Sequence, residues 1–361
     1  FSFDHQTIRY VRQRKTVKSK EKIMKIKINN KQILYILIVL FLIFFPIFFP
    51  SPYIVQTVTM IIFYAYMGSC WNILGGLAGQ ISLGHSVYAG IGAYVSTLLF
   101  IYTGVTPWIG MLLGGLISGF ASLLIGLPTF RLRGTYYTLS TVAFITVVRI
   151  LILANPTIFG LETRGAQGLL VPMKNNAPEL MQWVSKVPFY YLILIMTVFV
   201  SLLTYYLKHS KTGYYFAAIK TNQDAAASLG INVTGYKLIC AFISAFLSAL
   251  GGTFYAQLTM YVDPATLLGN NMSLQIAIMP IVGGMGTVFG PIVGALTLVP
   301  VQEIARSLLG GQVQGLHLII YGLIMMLIVM FVPGGIISLF KKSSHASKRY
   351  HKKGEAVKLG Q

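Results

Sequence analysis

The sequence is poor in acidic residues, with eight Asp and Glu among 361 residues. They fall in the tails or between apolar segments, except for Glu303, which lies near one end of such a segment. Carriers driven by protons or Na⁺ usually place an ionisable group near the membrane midplane, because the coupling ion needs a ligand whose charge can change. The sequence therefore argues against an ion-coupled carrier.

Motifs for nucleotides and metals are also missing. The chain has no Gly-x-x-x-x-Gly-Lys loop that could cradle a phosphate. Its two cysteines, Cys70 and Cys240, lie in apolar stretches without a Cys-x-x-Cys pair or a Cys/His cluster. We therefore expect no catalytic residue, no metal site and no cofactor on this chain.

Charge is scarce as well, since 10% of residues are charged and 55% are hydrophobic. So few charges cannot cover a soluble globular surface. The net charge of +20 comes largely from the tails, with ten basic residues before Ile33 and seven after Phe340. Tails of this kind are typical of segments held against an anionic cytoplasmic leaflet. We expect membrane lipids as their partner, and no nucleic acid.

Long apolar segments dominate the rest of the chain. A bilayer core needs about 20 apolar helical residues, so the predicted fold class is all-α: a polytopic transmembrane helical protein with about ten membrane helices, some short or broken. The run from Gly283 to Pro291 fits either two short helices or one broken helix. The ten candidates are 33–49, 53–74, 87–103, 107–127, 135–154, 189–207, 237–258, 272–285, 288–307 and 316–332.

The distribution of basic residues predicts the topology. A cytoplasmic N-terminus puts most of the 28 Lys and Arg on the cytoplasmic side, so both termini are predicted inside. The expected organisation is a basic N-tail over 1–32, a transmembrane domain over 33–340 and a basic C-tail over 341–361. We also expect Met24 to be the native start, which would leave 1–23 out of the native product.

The predicted cytoplasmic segment 208–236 is rich in small residues. It predicts a short helix over about 214–230, ended by Gly230 as a C-cap. Its alanines allow close insertion into a groove, and Leu229 offers an apolar anchor. Asp224 with Lys220 could make charge-assisted contacts at the rim. An ordinary solvated connecting helix is the alternative.

Glycines interrupt the apolar run between residues 75 and 84. Such a break frees backbone N–H and C=O groups at membrane depth, which only protein or a watery cavity can satisfy. A broken helix would also aim a positive helix end at a carboxylate. The candidate substrate-path residues are Gly79, Gln80, Ser82 and His85. The alternatives are a buried structural histidine and ordinary interhelical hydrogen bonds.

Arg149 and the tryptophans allow two interpretations each. Arg149 could receive a substrate carboxylate near the outer mouth, but we prefer an arginine that snorkels to the interface. Trp71, Trp108 and Trp183 fit interfacial anchors rather than a ligand cage.

Four sequence blocks resemble one family. GGLAGQISLGHSVYAGIGAY at 75–94 resembles the Gly-Gln-x-Ser-Leu-Gly-His signature of the branched-chain amino-acid ABC transporter permeases. FRLRGTYYTLSTVAF at 130–144 is similar to a block of the LivM-like subunit, and GGMGTVFGPIVGA at 283–295 to a third family run. Within 218–238, Asp224, Ala225, Ala226 and Gly230 resemble the Glu-Ala-Ala-x-x-x-Gly loop by which such permeases dock onto their ATPases.

The resemblance implies a permease subunit in the cell membrane of a prokaryote that moves branched-chain or related small amino acids into the cytoplasm. Its implied partners are ABC ATPase subunits that bind the ATP, a second, LivH-like permease and an extracytoplasmic solute-binding protein. The implied ATPase-coupling residues are Asp224, Ala225, Ala226, Leu229 and Gly230.

The chain also departs from the family pattern. Ile145 and Thr146 stand where a glycine and an acidic or amide residue are common, and 164–168 reads RGAQG. Urea or short amides are therefore alternative solutes. An intramembrane hydrolase using His85 with Ser82 or Ser86, and a passive channel, are alternatives of other classes; the hydrolase would lack an embedded acid to orient its histidine.

Overall fold

The computed structural model describes residues 41–158, 160–174 and 176–309, with short stretches between 322 and 338. The chain divides into two compact units, Phe1–Pro50 and Ser51–Gln361. In the first unit, residues 41–48 are helical. Both basic tails, residues 33–40 of the predicted span 33–49 and most of 316–332 lie outside the described residues.

The described part of the second unit is built from helices and four two-residue strands. β1 (Thr157–Ile158) pairs with β2 (Leu161–Glu162), and β3 (Leu169–Leu170) pairs with β4 (Tyr261–Val262), both antiparallel. The helices are α1 Pro52–Trp71, α2 His85–Thr103, α3 Pro107–Thr129, α4 Thr135–Ala154, α5 Val187–His209, α6 Lys211–Thr221, α7 Gln223–Ser228, α8 Val233–Thr259, α9 Pro264–Leu267, α10 Asn270–Gly284 and α11 Gly290–Leu309.

Six helical stretches among the described residues are long and apolar enough to cross a membrane: α1 with its extension to Leu77, α2, α3, α4, α5 and α8. The predicted all-α class is therefore confirmed, while the count of ten remains a prediction. The run from Gly283 to Pro291 separates two helices, α10 and α11. Gly284 (φ 135°) and Gly286 (φ 79°) adopt positive φ there, which explains why the helix stops.

The core of this unit is a close pack of α2, α3 and α8. A Cβ on Gly252 of α8 would lie 1.8 Å from the carbonyl oxygen of Ala89, so glycine lets these backbones touch. By contrast, α4 buries 17% of its most apolar window, against 61% for α8. The apolar surface of α4 must therefore be covered by lipid or by another subunit.

Candidate functional site

Two consecutive short helices, α6 and α7, follow α5, and we call residues 211–230 the elbow. A single helix over 214–230 is the wrong prediction, because Asn222 leaves the helical conformation (φ −157°, ψ 116°). Its side-chain oxygen accepts hydrogen bonds from the backbone N–H groups of Asp224 and Ala225. Asn222 therefore ends α6 and caps the start of α7, as short polar side chains do at helix N-termini.

The predicted cap at Gly230 is confirmed. Gly230 has φ +82°, its N–H donates to Ala227 O (2.9 Å), and the next N–H, of Ile231, donates to Ala226 O (3.1 Å). These two bonds form a Schellman motif, which favours glycine because of the positive φ. The elbow thus ends in a fixed turn.

The candidate coupling residues divide by exposure. Asp224, Ala225, Leu229 and Gly230 are exposed, and Leu229 is 81% exposed. Ala226 is 2% exposed, so it packs within the chain and its side chain is not available to a partner in this conformation. An exposed leucine on a capped short helix is an apolar anchor of the kind that docks in a groove.

Asp224 and Lys220 both bond to groups of this chain, rather than offering the charges for contacts at a groove rim that the sequence suggested. Both carboxylate oxygens of Asp224 accept hydrogen bonds from Arg133, at 2.8 Å each. This bidentate pair lowers the pKa of the Asp224 carboxyl and ties the elbow to the α3–α4 turn. The ammonium of Lys220 donates instead to Gly76 O at 2.8 Å, and burial lowers its pKa.

The predicted interruption at residues 75–84 is present. After α1, residues Asn72–Leu77 form one wide π-helical turn, Gly79 takes φ +72°, and α2 begins at His85. We call Asn72–Gly84 the first break and residues 285–289, between α10 and α11, the second break. Both breaks lie at glycines with positive φ.

Protein groups satisfy the backbone of the first break. Trp71 Nε1 donates to Ser82 O (2.5 Å) and Thr138 Oγ1 donates to Ile81 O (2.8 Å). Leu83 donates its N–H to Thr141 Oγ1 (3.0 Å) and accepts from Ser273 Oγ. These bonds meet the requirement that freed backbone groups find partners at membrane depth. Trp71 is fully buried, so its assignment as an interfacial anchor is wrong.

The four candidate substrate-path residues all lie on or beside this break. Gln80 and Ser82 are buried, with Gln80 Nε2 donating to Ala78 O and Ser82 Oγ accepting from the N–H of Gly84. His85 is fully buried, and its Nε2 is 2.8 Å from Ser244 Oγ. Gly79 packs against Lys220. These contacts fit the alternative interpretation, in which His85 is a buried structural histidine and the polar side chains make ordinary hydrogen bonds within the protein.

A polar knot joins the two breaks to the elbow. Asn72, fully buried, donates to Thr287 O (2.9 Å) and accepts from the N–H of Gly286 (2.8 Å). Lys220 Nζ donates to Gly76 O (2.8 Å) in the first break, and Lys208 Nζ donates to Gly286 O (2.7 Å) in the second. Lys208, in the last turn of α5, and Lys220, in the last turn of α6, thus hold carbonyl groups of the two breaks.

A cavity of about 450 Å³ lies between α1, α4, α8 and the first turn of α10. We call it the arginine cavity, because Arg149 of α4 lines it. Other polar lining residues are Tyr64, Tyr255, Thr266, Asn270, Asn271 and Gln275. Tyr64 precedes Gly76 by twelve residues, or roughly 18 Å along a helix axis, so the cavity and the knot occupy different levels of α1.

Comparison with known proteins identifies the family. Residues 53–329 match the family described as branched-chain amino acid transport system / permease component. The chain belongs to this family. The permease is also similar to the high-affinity branched-chain amino acid transport system permease protein LivM of Salmonella typhimurium, at 30% identity over 303 residues, covering 79% of this chain and 70% of that protein.

The names of other relatives give more than one kind of solute. The permease is 30% identical over 303 residues to LivM of Escherichia coli, covering 79% of this chain and 69% of that protein. It is 25% identical over 274 residues to the nucleoside ABC transporter permease protein NupC of Lactococcus lactis, covering 70% of this chain and 80% of that protein. No solved structure matches the permease significantly.

The predicted transport role, rather than an enzymatic one, agrees with this family. The geometry of His85 agrees as well, since its Nε2 pairs with Ser244 and neither with Ser82 nor with Ser86. Ser244 Oγ in turn donates to Cys70 O at 2.7 Å. The permease's histidine therefore belongs to an interhelical hydrogen-bond chain that joins α1, α2 and α8.

Sequence reasoning missed the knot and most of the arginine cavity. Asn72 lies in an apolar run, where a buried amide signals an interhelical bond, but only the fold shows its partner in the second break. Asn270 and Asn271 directly precede the predicted span 272–285 and Gln275 lies within it, and these amides were the available signal.

Proposed function

We propose that this permease is one transmembrane subunit of an ABC importer that moves branched-chain or related small amino acids into the cytoplasm. ATP is bound and hydrolysed on separate ATPase subunits. Family membership and 30% identity to two LivM proteins over most of the chain support this proposal. The named substrate of those relatives supports the choice of solute.

The observation that carries the coupling role is the elbow. It presents a strongly exposed Leu229 beside small exposed residues, on a helix fixed at one end by Asn222 and at the other by Gly230. A short, capped helix with an apolar tip suits insertion into a groove of another subunit. A merely solvated connector would have no need of an apolar tip.

The hydrogen bonds of the knot connect the elbow to the two helix breaks, so they can transmit a movement of the elbow to the membrane helices. ATP-driven closure of the ATPase pair would move α6, and Lys220 would pull on Gly76 while Lys208 holds Gly286. Helix breaks are the places where a packed bundle can bend, so they respond first to such a displacement. Gly79, Gln80, Ser82 and His85 lie where the first break would open, and we assign them to the inner end of the substrate path.

The remaining assignments follow from this role. The permease spans the cell membrane of a prokaryote with both basic tails in the cytoplasm and lipid around it. A second, LivH-like permease would cover the exposed apolar face of α4. An extracytoplasmic solute-binding protein delivers the solute. The domain scheme over 1–32, 33–340 and 341–361 and the native start at Met24 belong to the same proposal.

The test is co-purification with the cognate ATPases, followed by leucine uptake in proteoliposomes. Leu229→Asp should reduce both ATPase recovery and uptake at least about tenfold, because a charge at an apolar anchor opposes docking. Leu170→Asp is the matched control, since this leucine is 64% exposed on β3, away from the elbow. Unchanged ATPase recovery with Leu229→Asp would contradict the docking role. Leucine flux in vesicles that lack the ATPases would favour a passive channel.

A further inference from the structure

We infer that the arginine cavity is a binding site for the carboxylate of the transported solute and that Arg149 is its cationic partner. The inference rests on the proposed function and goes beyond it, because it names the chemical group that the membrane subunit recognises. It also separates amino acids from urea and short amides, which have no carboxylate.

The size and walls of the cavity suit a small ligand. Its volume of about 450 Å³ falls within the range of about 300–1,000 Å³ that is common for small-molecule sites. Amide groups of Asn270, Asn271 and Gln275 and the rings of two tyrosines line it. The hydroxyl of Tyr64 donates to Gln275 Oε1 at 2.7 Å, which fixes that amide on the wall.

Arg149 is the cation of this cavity, and no described acid neutralises it. Its guanidinium makes neither a hydrogen bond nor an ion pair with any residue of the described ranges. Asp263, which precedes α9, accepts hydrogen bonds from the N–H groups of Ala265 and Thr266. Glu303 pairs with Arg306. An arginine without an acid partner inside a membrane helix marks a functional site.

The first turn of α10 adds to the positive field. Asn270 and Asn271 begin this 15-residue helix and line the cavity, and no side chain caps its N-terminus. Backbone N–H groups at a helix start favour an anion. An arginine and a helix start that converge on one cavity select a negatively charged group, and a guanidinium pairs best with a flat, two-oxygen group such as a carboxylate.

A lipid phosphate offers similar charge, so the experiment separates the two sources. The permease complex, without its binding protein, is reconstituted in nanodiscs of purely zwitterionic lipid and, in parallel, in nanodiscs that contain anionic lipid. Three probes are titrated: L-leucine, L-leucinamide, which lacks the carboxylate, and 4-methylpentanoate, which keeps the carboxylate and lacks the amine.

L-leucine and 4-methylpentanoate should bind at least about tenfold more tightly than L-leucinamide, because a charge-assisted pair is lost with the carboxylate. Arg149→Gln should remove this difference, and Arg149→Lys should retain part of it. Arg164→Gln, which removes a positive charge from the loop after β2, should bind all three probes as the unmodified complex does. The result should be the same in both lipids.

Equal binding of leucine and leucinamide, or undiminished discrimination by Arg149→Gln, would overturn the inference. An effect of Arg149→Gln that appears only with anionic lipid would overturn it in favour of a lipid-headgroup site. These failures differ from failure of the proposed function, because ATP-driven leucine uptake by the unmodified complex is scored separately.

Discussion

The first break and the arginine cavity both place polar groups among apolar helices, but they treat those groups in opposite ways. At the break, the released backbone groups are bonded to Trp71, Thr138 and Thr141, among others. In the cavity, Arg149 lines open space, and none of the described lining residues is acidic. Hydrogen-bonded polar groups stabilise an interrupted helix, whereas a charge without a partner can bind a ligand.

This difference separates two functions that a sequence motif alone would merge. The family-like string at 75–94 contains conspicuous polar residues, but Gln80, Ser82 and His85 among them make hydrogen bonds within the chain. The open charge lies on α4, in a stretch that carries no motif. We therefore assign transmission of movement to the break and recognition of solute to the cavity.

The largest expected effect is on stability at the break. A Cβ added at Gly76 would lie 1.9 Å from Asn72 Oδ1 and 2.8 Å from the N of Gly286. Gly76→Ala should therefore lower the free energy of unfolding by about 2–4 kcal/mol, from overpacking and the lost Asn72 bonds. The measurement is thermal unfolding in detergent. Gly84→Ala is the control, because its nearest contact would be 3.3 Å, to a side chain.

The next effect is on coupling through the knot. Lys220→Met keeps an apolar stem but removes the ammonium that holds Gly76 O. The ATPases should still bind and hydrolyse ATP, while leucine transported per ATP falls about tenfold, within the usual range of coupling energies. Lys211→Met, also on α6 and exposed, is the matched control. An unchanged ratio of uptake to hydrolysis would assign Lys220 a structural role alone.

A smaller effect concerns pH at the elbow. Arg133 lowers the pKa of Asp224 below its unfolded value, so the pair stabilises the elbow fully above about pH 4. That contribution is lost as the pH falls through the folded-state pKa. Hydrogen-exchange protection of residues 222–231 should therefore drop as the pH is lowered below about pH 4, modestly because the pair is exposed. Asp224→Asn should show no such pH step.

The smallest expected effect concerns the contribution of Arg149 to the stability of the fold. Arg149→Gln should change the free energy of unfolding by less than about 0.5 kcal/mol, because no described protein group depends on its charge. Thermal unfolding without solute tests this. A large loss of stability would mean that Arg149 holds the fold, as the groups of the first break do.

Much of the fold was predictable from the sequence, because apolar length determines membrane helices directly. The interruption between residues 75 and 84 and the cap at Gly230 were predictable for a similar reason, since glycine at positive φ is a local property. The split at Asn222 was missed because the residues on both sides are compatible with one continuous helix. An asparagine side chain, however, favours capping the start of a helix over a position inside it.

The site depended on contacts that span long sequence separations. Asn72 meets Gly286 and Thr287 across more than 200 residues, and Lys220 meets Gly76 across 144. Trp71 was assigned to the interface by composition, yet its indole bonds inside the break. Arg149 was interpreted as a snorkelling residue because the polar wall opposite it, on α10, is distant in sequence.

One paired measurement tests the central claim most directly: leucine affinity and leucine uptake per ATP, determined on the same nanodisc-reconstituted complexes and in matched proteoliposomes. We expect Lys220→Met to keep the affinity and lose the coupling, and Arg149→Gln to lose the affinity and keep the coupling, measured as leucine transported per ATP. If both variants lost affinity and coupling in parallel, transmission and recognition would not be separate, and the account would be contradicted.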